Sequence, residues 1–288
     1  MNLRFDHAVI GVRDLAEAGR FFADSLGFDV YPGGRHTGLG TENAIVRFGL
    51  DYLELLGIYD EEQARAAGST RGPLVEYLRR HACGPLGFAL ATDDIDGLAA
   101  RFRAEGLDAL GPYPMKRMRP DGVLLEWRLL VPGGTAWRRP WPFFIQWGMA
   151  DDERLRYETP GKHSNGATGV RGVAVAVRDL AGAQELYSRQ LGMTLRDEGA
   201  TGGVAWARYG VGAFHIDLLS PTAPGDVLEY LQMFGEGLYQ VWLESSGTPP
   251  AIDFYAQRNL PFAPVRDHDG ADGIRTADGC GSQLVLTV

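Results

Sequence analysis

Glu54 stands between leucines in the run Tyr52–Leu56 (YLELL), and a carboxylate there is costly to bury unless it is paired, hydrogen-bonded or bound to a cation. His7 opens a second apolar run, HAVIGV, and His36 lies in GGRHTGLGTEN, whose glycines let backbone approach a ligand closely. Imidazole and carboxylate are the donor types that hold Mn²⁺, Fe²⁺, Ni²⁺ or Zn²⁺. A histidine with an available nitrogen beside such an ion also serves as a general base. Plainer readings stand beside these: a hydrogen-bonded structural His7, a Glu54 satisfied by arginine or backbone N–H, and a His36 on a loop surface.

Further along, MKRMRPDGVLLEWRLLVP combines a basic turn (Lys116, Arg117, Arg119) with a strand on which Glu126 and Arg128 share one face and Trp127 takes the other. Trp137, Trp141, Phe143, Phe144 and Trp147 form an aromatic cluster that reads as core or as the wall of a small-molecule pocket. No G-x-S-x-G elbow, phosphate-cradling G-x-x-x-x-G-K-S/T or H-E-x-x-H appears, and the glycines after His36 precede a strand rather than a helix, so dinucleotide binding lacks support. Cys83 and Cys280 are far apart, without a C-x-x-C spacing, and read as thiols in a reducing compartment.

The elements that must position these residues follow from an internal repeat. VRDLAEAGRFFADSLG from Val12 and VRDLAGAQELYSRQLG from Val177 align without a gap at an offset of 165 residues. Each follows a strand-like apolar run, has an aspartate (Asp14, Asp179) placed to cap a helix, and ends that helix at a glycine (Gly27, Gly192). Three short strand-like segments come next, about Asp29–Tyr31, Ala44–Phe48 and Tyr52–Ile58 in the first copy. Weaker versions start at Gly87 and Tyr239. The expected fold class is α+β: four βαβββ modules (1–58, 84–148, 170–220, 238–288) paired into two domains, 1–150 and 170–288, with a polar linker at 151–169.

Tandem βαβββ modules opening strand-Asp-Leu-helix-Leu-Gly resemble the vicinal-oxygen-chelate (glyoxalase/bleomycin-resistance/dioxygenase) superfamily. FDHAVIGVRDL, GGRHTGLGTENAIVRFG, DYLELL and PFFIQW together resemble its glyoxalase-like domain family, over about residues 1–150. The resemblance implies that first and last strands of each module present ligands into a cup. It assigns metal ligation to His7, Glu54 and Gln146, with Gly87 opposite His7. It implies catalytic roles for Glu54 and His36, and substrate contacts for His36, Arg119, Trp127 and Gln146, with a divalent metal (Mn, Fe, Ni or Zn) as cofactor. Gly172 replaces His7 in the second half, which reads as a degenerate structural partner with His215 and Asp217 as a weak metal-type pair.

The formal charge of -9 disfavours a nucleic-acid partner, and no run reaches the roughly 18 apolar residues of a membrane span. Nothing at the N-terminus reads as a secretory signal, so a cytoplasmic monomer or homodimer with a small-molecule ligand is expected. Two functions compete. One is a metal-dependent lyase, isomerase or dioxygenase acting on a small oxygen-rich substrate; the other is a metal-free binding or sequestration protein of the bleomycin-resistance type.

Overall fold

The computed structural model describes residues 2–68, 72–134, 137–246, 248–267, 270–276 and 283–287. The first half runs β1 (Leu3–Val12), α1 (Leu15–Arg20), β2 (Tyr31–His36), β3 (Thr41–Arg47), β4 (Tyr52–Ile58), α2 (Glu61–Ala66), α3 (Gly72–Arg80), β5 (Cys83–Thr92), α4 (Ile95–Ala104), β6 (Ala109–Met118), β7 (Leu124–Pro132) and β8 (Phe143–Trp147). Helix α5 (Asp151–Tyr157) leads into β9 (Ala167–Ala176), α6 (Leu180–Glu185), β10 (Thr194–Thr201), β11 (Val204–Val211), β12 (Phe214–Pro221) and α7 (Asp226–Phe234). The chain finishes with β13 (Gly237–Ser245), α8 (Thr248–Gln257), β14 (Phe262–Arg266), β15 (Asp272–Thr276) and β16 (Gln283–Thr287). Four βαβββ modules result, starting at β1, β5, β9 and β13.

The module helices begin where the sequence places their caps. Asp14 accepts from the Glu17 amide at 2.9 Å and Asp179 from the Gly182 amide at 3.1 Å; Asp94 does the same for Gly97 in the second module. Each cap fixes the angle at which a helix leaves its first strand and crosses the sheet's outer face.

Strands of the first half close into a barrel in the order β1-β4-β3-β2-β6-β7-β8-β5. Alternation sorts its side chains. Val9, Leu56, Ala89, Trp127, Phe143 and Ile145 cluster inside, while Ala8, Leu53, Leu55, Phe88, Leu90 and Phe144 join a second core shared with the other half of the chain. In that shared core the rings of Phe5 and Phe214 stack with centroids 4.5 Å apart.

Barrel closure depends on one short seam, where Arg35 pairs Met118 and His36 pairs Arg117 between β2 and β6. Gly34 permits it. Its φ is +132°, and a Cβ there would stand 2.2 Å from the Met118 carbonyl oxygen. Glycines that read as a loop therefore belong to a strand, and β2 ends at His36 instead of stopping near Tyr31. Among the described residues the second half has no such seam: its sheet is open, with β10 and β14 at its edges, and β10 is exposed along its whole length.

The segment read as a polar linker is a strap laid against the first module. His163 accepts from the Asp29 amide through Nδ1 and donates through Nε2 to the Arg47 carbonyl, both at 3.0 Å. Asn165 donates to the Leu26 carbonyl, and Arg154 and Glu158 are buried. Cys83 carries a thiol; Cys280 lies outside the described residues. Among the described residues no helix is long and apolar enough to cross a membrane.

Candidate functional site

Strands β1 and β4 run parallel, with His7 beside Tyr52 and Val9 beside Glu54. His7 and Glu54 therefore project from the same face of adjoining strands, and His36 reaches the same space from the end of β2. Glu54 lies between the two imidazoles, its oxygens 3.6 Å from His7 Nε2 and 3.8 Å from His36 Nε2. All three are buried. The Tyr52 ring stacks on His7 at 4.6 Å, and Phe143 meets it edge-on.

Asp6 fixes His7. Neighbours in a regular strand point to opposite faces, but here Phe5 pairs Leu90 and His7 pairs Ala89, leaving Asp6 as the extra residue of a bulge. Its Oδ1 lies 2.7 Å from His7 Nδ1. A carboxylate only accepts, so Nδ1 carries a proton, and Nε2 is the nitrogen that faces Glu54. Trp147 Nε1 donates to Asp6 Oδ2 at 2.9 Å, and Arg154 stands 3.7 Å from that oxygen. Burial pushes the Asp6 carboxyl upward, yet the His7 hydrogen bond and the charges of Arg154, His7 and Arg4 hold it well below the usual carboxylate range.

Glu54 follows the same logic. Burial raises its pKa, and His7, His36, the donated hydrogen bond of Asn43 and Arg117 outweigh that, so the net shift is downward and Glu54 is ionised at neutral pH. The cavity in front is lined by His7, His36, Glu54, Trp127, Phe143 and Trp147, and leaves about 40 Å³ open to the centre of a water molecule.

Two imidazoles, a carboxylate and a carboxylate behind one imidazole form a donor set that suits a divalent transition metal. The spacing is slightly wide: ligand atoms about 2.1 Å from one ion lie roughly 3.0–3.4 Å apart. Among the described residues the opposite half of the cup adds no histidine or carboxylate. Gly87, aligned with His7, has no side chain to ligate, and the inner face of β5 and β8 carries Ala89, Ala91, Phe143 and Ile145. Gln146, expected as a ligand and substrate contact, points outward: it accepts from the Ile95 amide and from Arg128, and donates to the Asp93 carbonyl. A step of one residue along β8 exchanges inner for outer face.

Trp127 walls the cup, edge-on to His36 at 6.1 Å. Arg119 does not line it. Paired with Asp121 at 2.9 Å, it borders a neighbouring cleft.

Residues 5–191 match the family described as the glyoxalase-like domain. The chain belongs to the glyoxalase-like domain family. Its match runs past residue 150, through the strap and into the third module, beyond the extent the motifs suggested. The search of curated proteins returned no match. Among solved structures, this glyoxalase-like chain is similar to a hypothetical protein from Staphylococcus aureus: 17% identity, TM-score 0.71, covering 99% of this chain and 98% of that one. It is also similar to a mutant of 4-hydroxymandelate synthase from Streptomyces coelicolor: 17% identity, TM-score 0.65, covering 99% and 93%. Likeness at that identity establishes the shared two-domain vicinal-oxygen-chelate fold over the whole length, and no more than the fold.

Sequence reasoning missed Asp6, Asn43, Tyr52 and Arg117 in this glyoxalase-like site. Buried polar residues inside apolar strands were the available signal for Asp6 and Asn43. In the second half, His215 folds over Gly172, where a Cβ would lie 2.3 Å from its Nε2. His215, Asp217 and Asp267 are the group of metal-type donors, among the described residues, whose ligand atoms all lie within 4.8 Å of one another. They already hold a cation. Arg208 donates to both oxygens of Asp217 at 2.7 Å and to Asp267 at 2.8 Å.

Proposed function

We propose that the first half of the chain is a divalent-metal-dependent enzyme of glyoxalase-like type, acting on a small oxygen-rich substrate with lyase, isomerase or dioxygenase chemistry. The observation that carries this reading is an ionised Glu54 held between two imidazoles on the wall of an aromatic cup. His7, Glu54 and His36 would hold Mn²⁺, Fe²⁺, Ni²⁺ or Zn²⁺, which when bound supplies a Lewis acid for substrate oxygens. Asp6 keeps the His7 proton on Nδ1, so that Nε2 is the donor atom. Asn43 orients Glu54. Trp127, Phe143 and Trp147 exclude water from the reacting atoms, and His36, where it is not a ligand, is placed to accept a substrate proton.

The metal-free binding reading draws its support from Ala89 and Ile145, which leave half the cup apolar. Elemental analysis by ICP-MS on chain purified without chelators separates the two. Near-stoichiometric metal that is lost in the His7→Ala/Glu54→Ala variant is the expected result; absence of metal, even after reconstitution with each ion, would leave sequestration as the function.

A further inference from the structure

The cup is too small to hold a substrate beyond its reacting atoms, and beside it lies a cleft of about 300 Å³, at the lower end of ligand-pocket size. Arg117 lines both. The cleft is also bordered by Arg47, Arg119 and Glu158, and its rim carries the exposed rings of Tyr31 and Tyr157.

Three guanidiniums in this wall converge on one carboxylate. Glu158 is shared by three buried guanidiniums: Oε1 faces Arg47 at 2.9 Å and Arg117 at 3.2 Å, and Oε2 faces Arg154 at 3.1 Å. Arg154 also faces Asp6, at 3.7 Å, so Glu158 is the carboxylate that Arg47 and Arg117 share directly. Arg117 Nε is buried without a hydrogen-bond partner. Its other branch donates to Asn43 Oδ1 at 3.4 Å, and Asn43 donates to Glu54. One amide therefore separates the cleft's central cation from the metal-type carboxylate.

We infer that this cleft binds an oxyanion, a carboxylate or phosphoryl group, of the molecule whose reacting end enters the cup; calling that molecule a substrate rests on the metal-enzyme reading above. A guanidinium fork matches paired oxygens in one plane, and an anion in the cleft would meet Arg47, Arg117 and Arg119 along its lining. Arg119, which donates through Nε and Nη2 to the exposed Asp121, would exchange that carboxylate for the incoming group.

Calorimetric titration of the full chain tests this with malonate, inorganic phosphate and the neutral isostere malonamide at constant ionic strength. Each is run on EDTA-stripped and metal-loaded protein whose metal content is read by ICP-MS. Malonate or phosphate, whichever matches the native group, binds the stripped protein, and malonamide does not. Arg119→Gln weakens binding about tenfold, the worth of one charge-assisted hydrogen bond. Arg117→Lys, which keeps the charge and loses the fork, does so too, its folded fraction at the titration temperature being read from its melting curve, while Arg266→Gln, on the exposed face of β14, has no effect. Absence of anion binding, or binding indifferent to both site variants, overturns the inference. Malonate that binds only loaded protein and is lost in Glu54→Gln is ligating the ion, which overturns the cleft and spares the metal site; anion binding by a protein that takes up no metal does the reverse.

Discussion

At the residue scale the site rests on Asp6 as much as on His7. The resemblance to the vicinal-oxygen-chelate scheme marked His7 and Glu54, the glycine-rich GGRHTGLGTEN run marked His36, and a leucine-flanked carboxylate is in any case expensive to bury without a partner. Asp6 escaped that reading, since period-two alternation sends it to the face opposite His7 and only the bulge brings it back. Gln146 failed for the complementary reason: nothing in FFIQW says which of two adjacent residues faces inward. Asp6→Asn should lower metal affinity about 10- to 100-fold by loosening the His7 tautomer, read by competition with a chelator. It should also cost about 3 kcal/mol at neutral pH by stripping Arg154 of a buried partner. Since the folded carboxyl titrates below the unfolded value of 3.8, its contribution is complete above that value and disappears as the pH falls through the folded pKa. Urea denaturation at neutral and strongly acidic pH should therefore show a smaller acid loss in Asp6→Asn than in the parent chain.

At the element scale, the first strand, helix cap and helix stop of each module were legible because short-range chemistry decides them. The strap was not. Its polar, glycine-bearing sequence is that of a linker, and its order comes from tertiary contacts: His163 bridging Asp29 and Arg47, Asn165 on Leu26, Arg154 beneath Trp147. Burial lowers the His163 pKa below 6.5, more than the Arg47 carbonyl and Asp29 raise it, so the ring is neutral when folded. A depressed histidine stabilises the fold above the unfolded pKa and loses that contribution as the pH drops through 6.5 toward the folded value. His163→Gln should thus flatten the fall in melting temperature between neutral pH and about pH 5, the range in which histidines titrate. An unchanged slope would mean that the strap is not held through this ring.

At the scale of the whole molecule the repeat was legible, and the divergence between its halves was not. One half closes through a four-residue seam made possible by Gly34, and the other stays open; one cup presents metal-type donors to a cavity, and the other fills the same place with Arg208. A lone arginine in β11 carries no sign that it will reach two aspartates on different strands and loops. Because the two halves share one core, in which Phe5 stacks on Phe214, a defect in the second cup should be felt by the entire chain. Arg208→Met removes the guanidinium from Asp217 and Asp267, both buried, and should destabilise the chain by about 3–5 kcal/mol. A single unfolding transition, shifted as a whole, is the expected form of that loss in urea. His215, Asp217 and Asp267 would then face one another with Arg171, 3.7 Å from Asp267, as the remaining guanidinium, so adding Zn²⁺ or Mn²⁺ should restore much of the stability and raise the metal content by one ion per chain. If the loss occurs but neither ion restores it, the second cup cannot take a metal even when emptied, and Arg208 completes a structural core instead of occupying a metal's place.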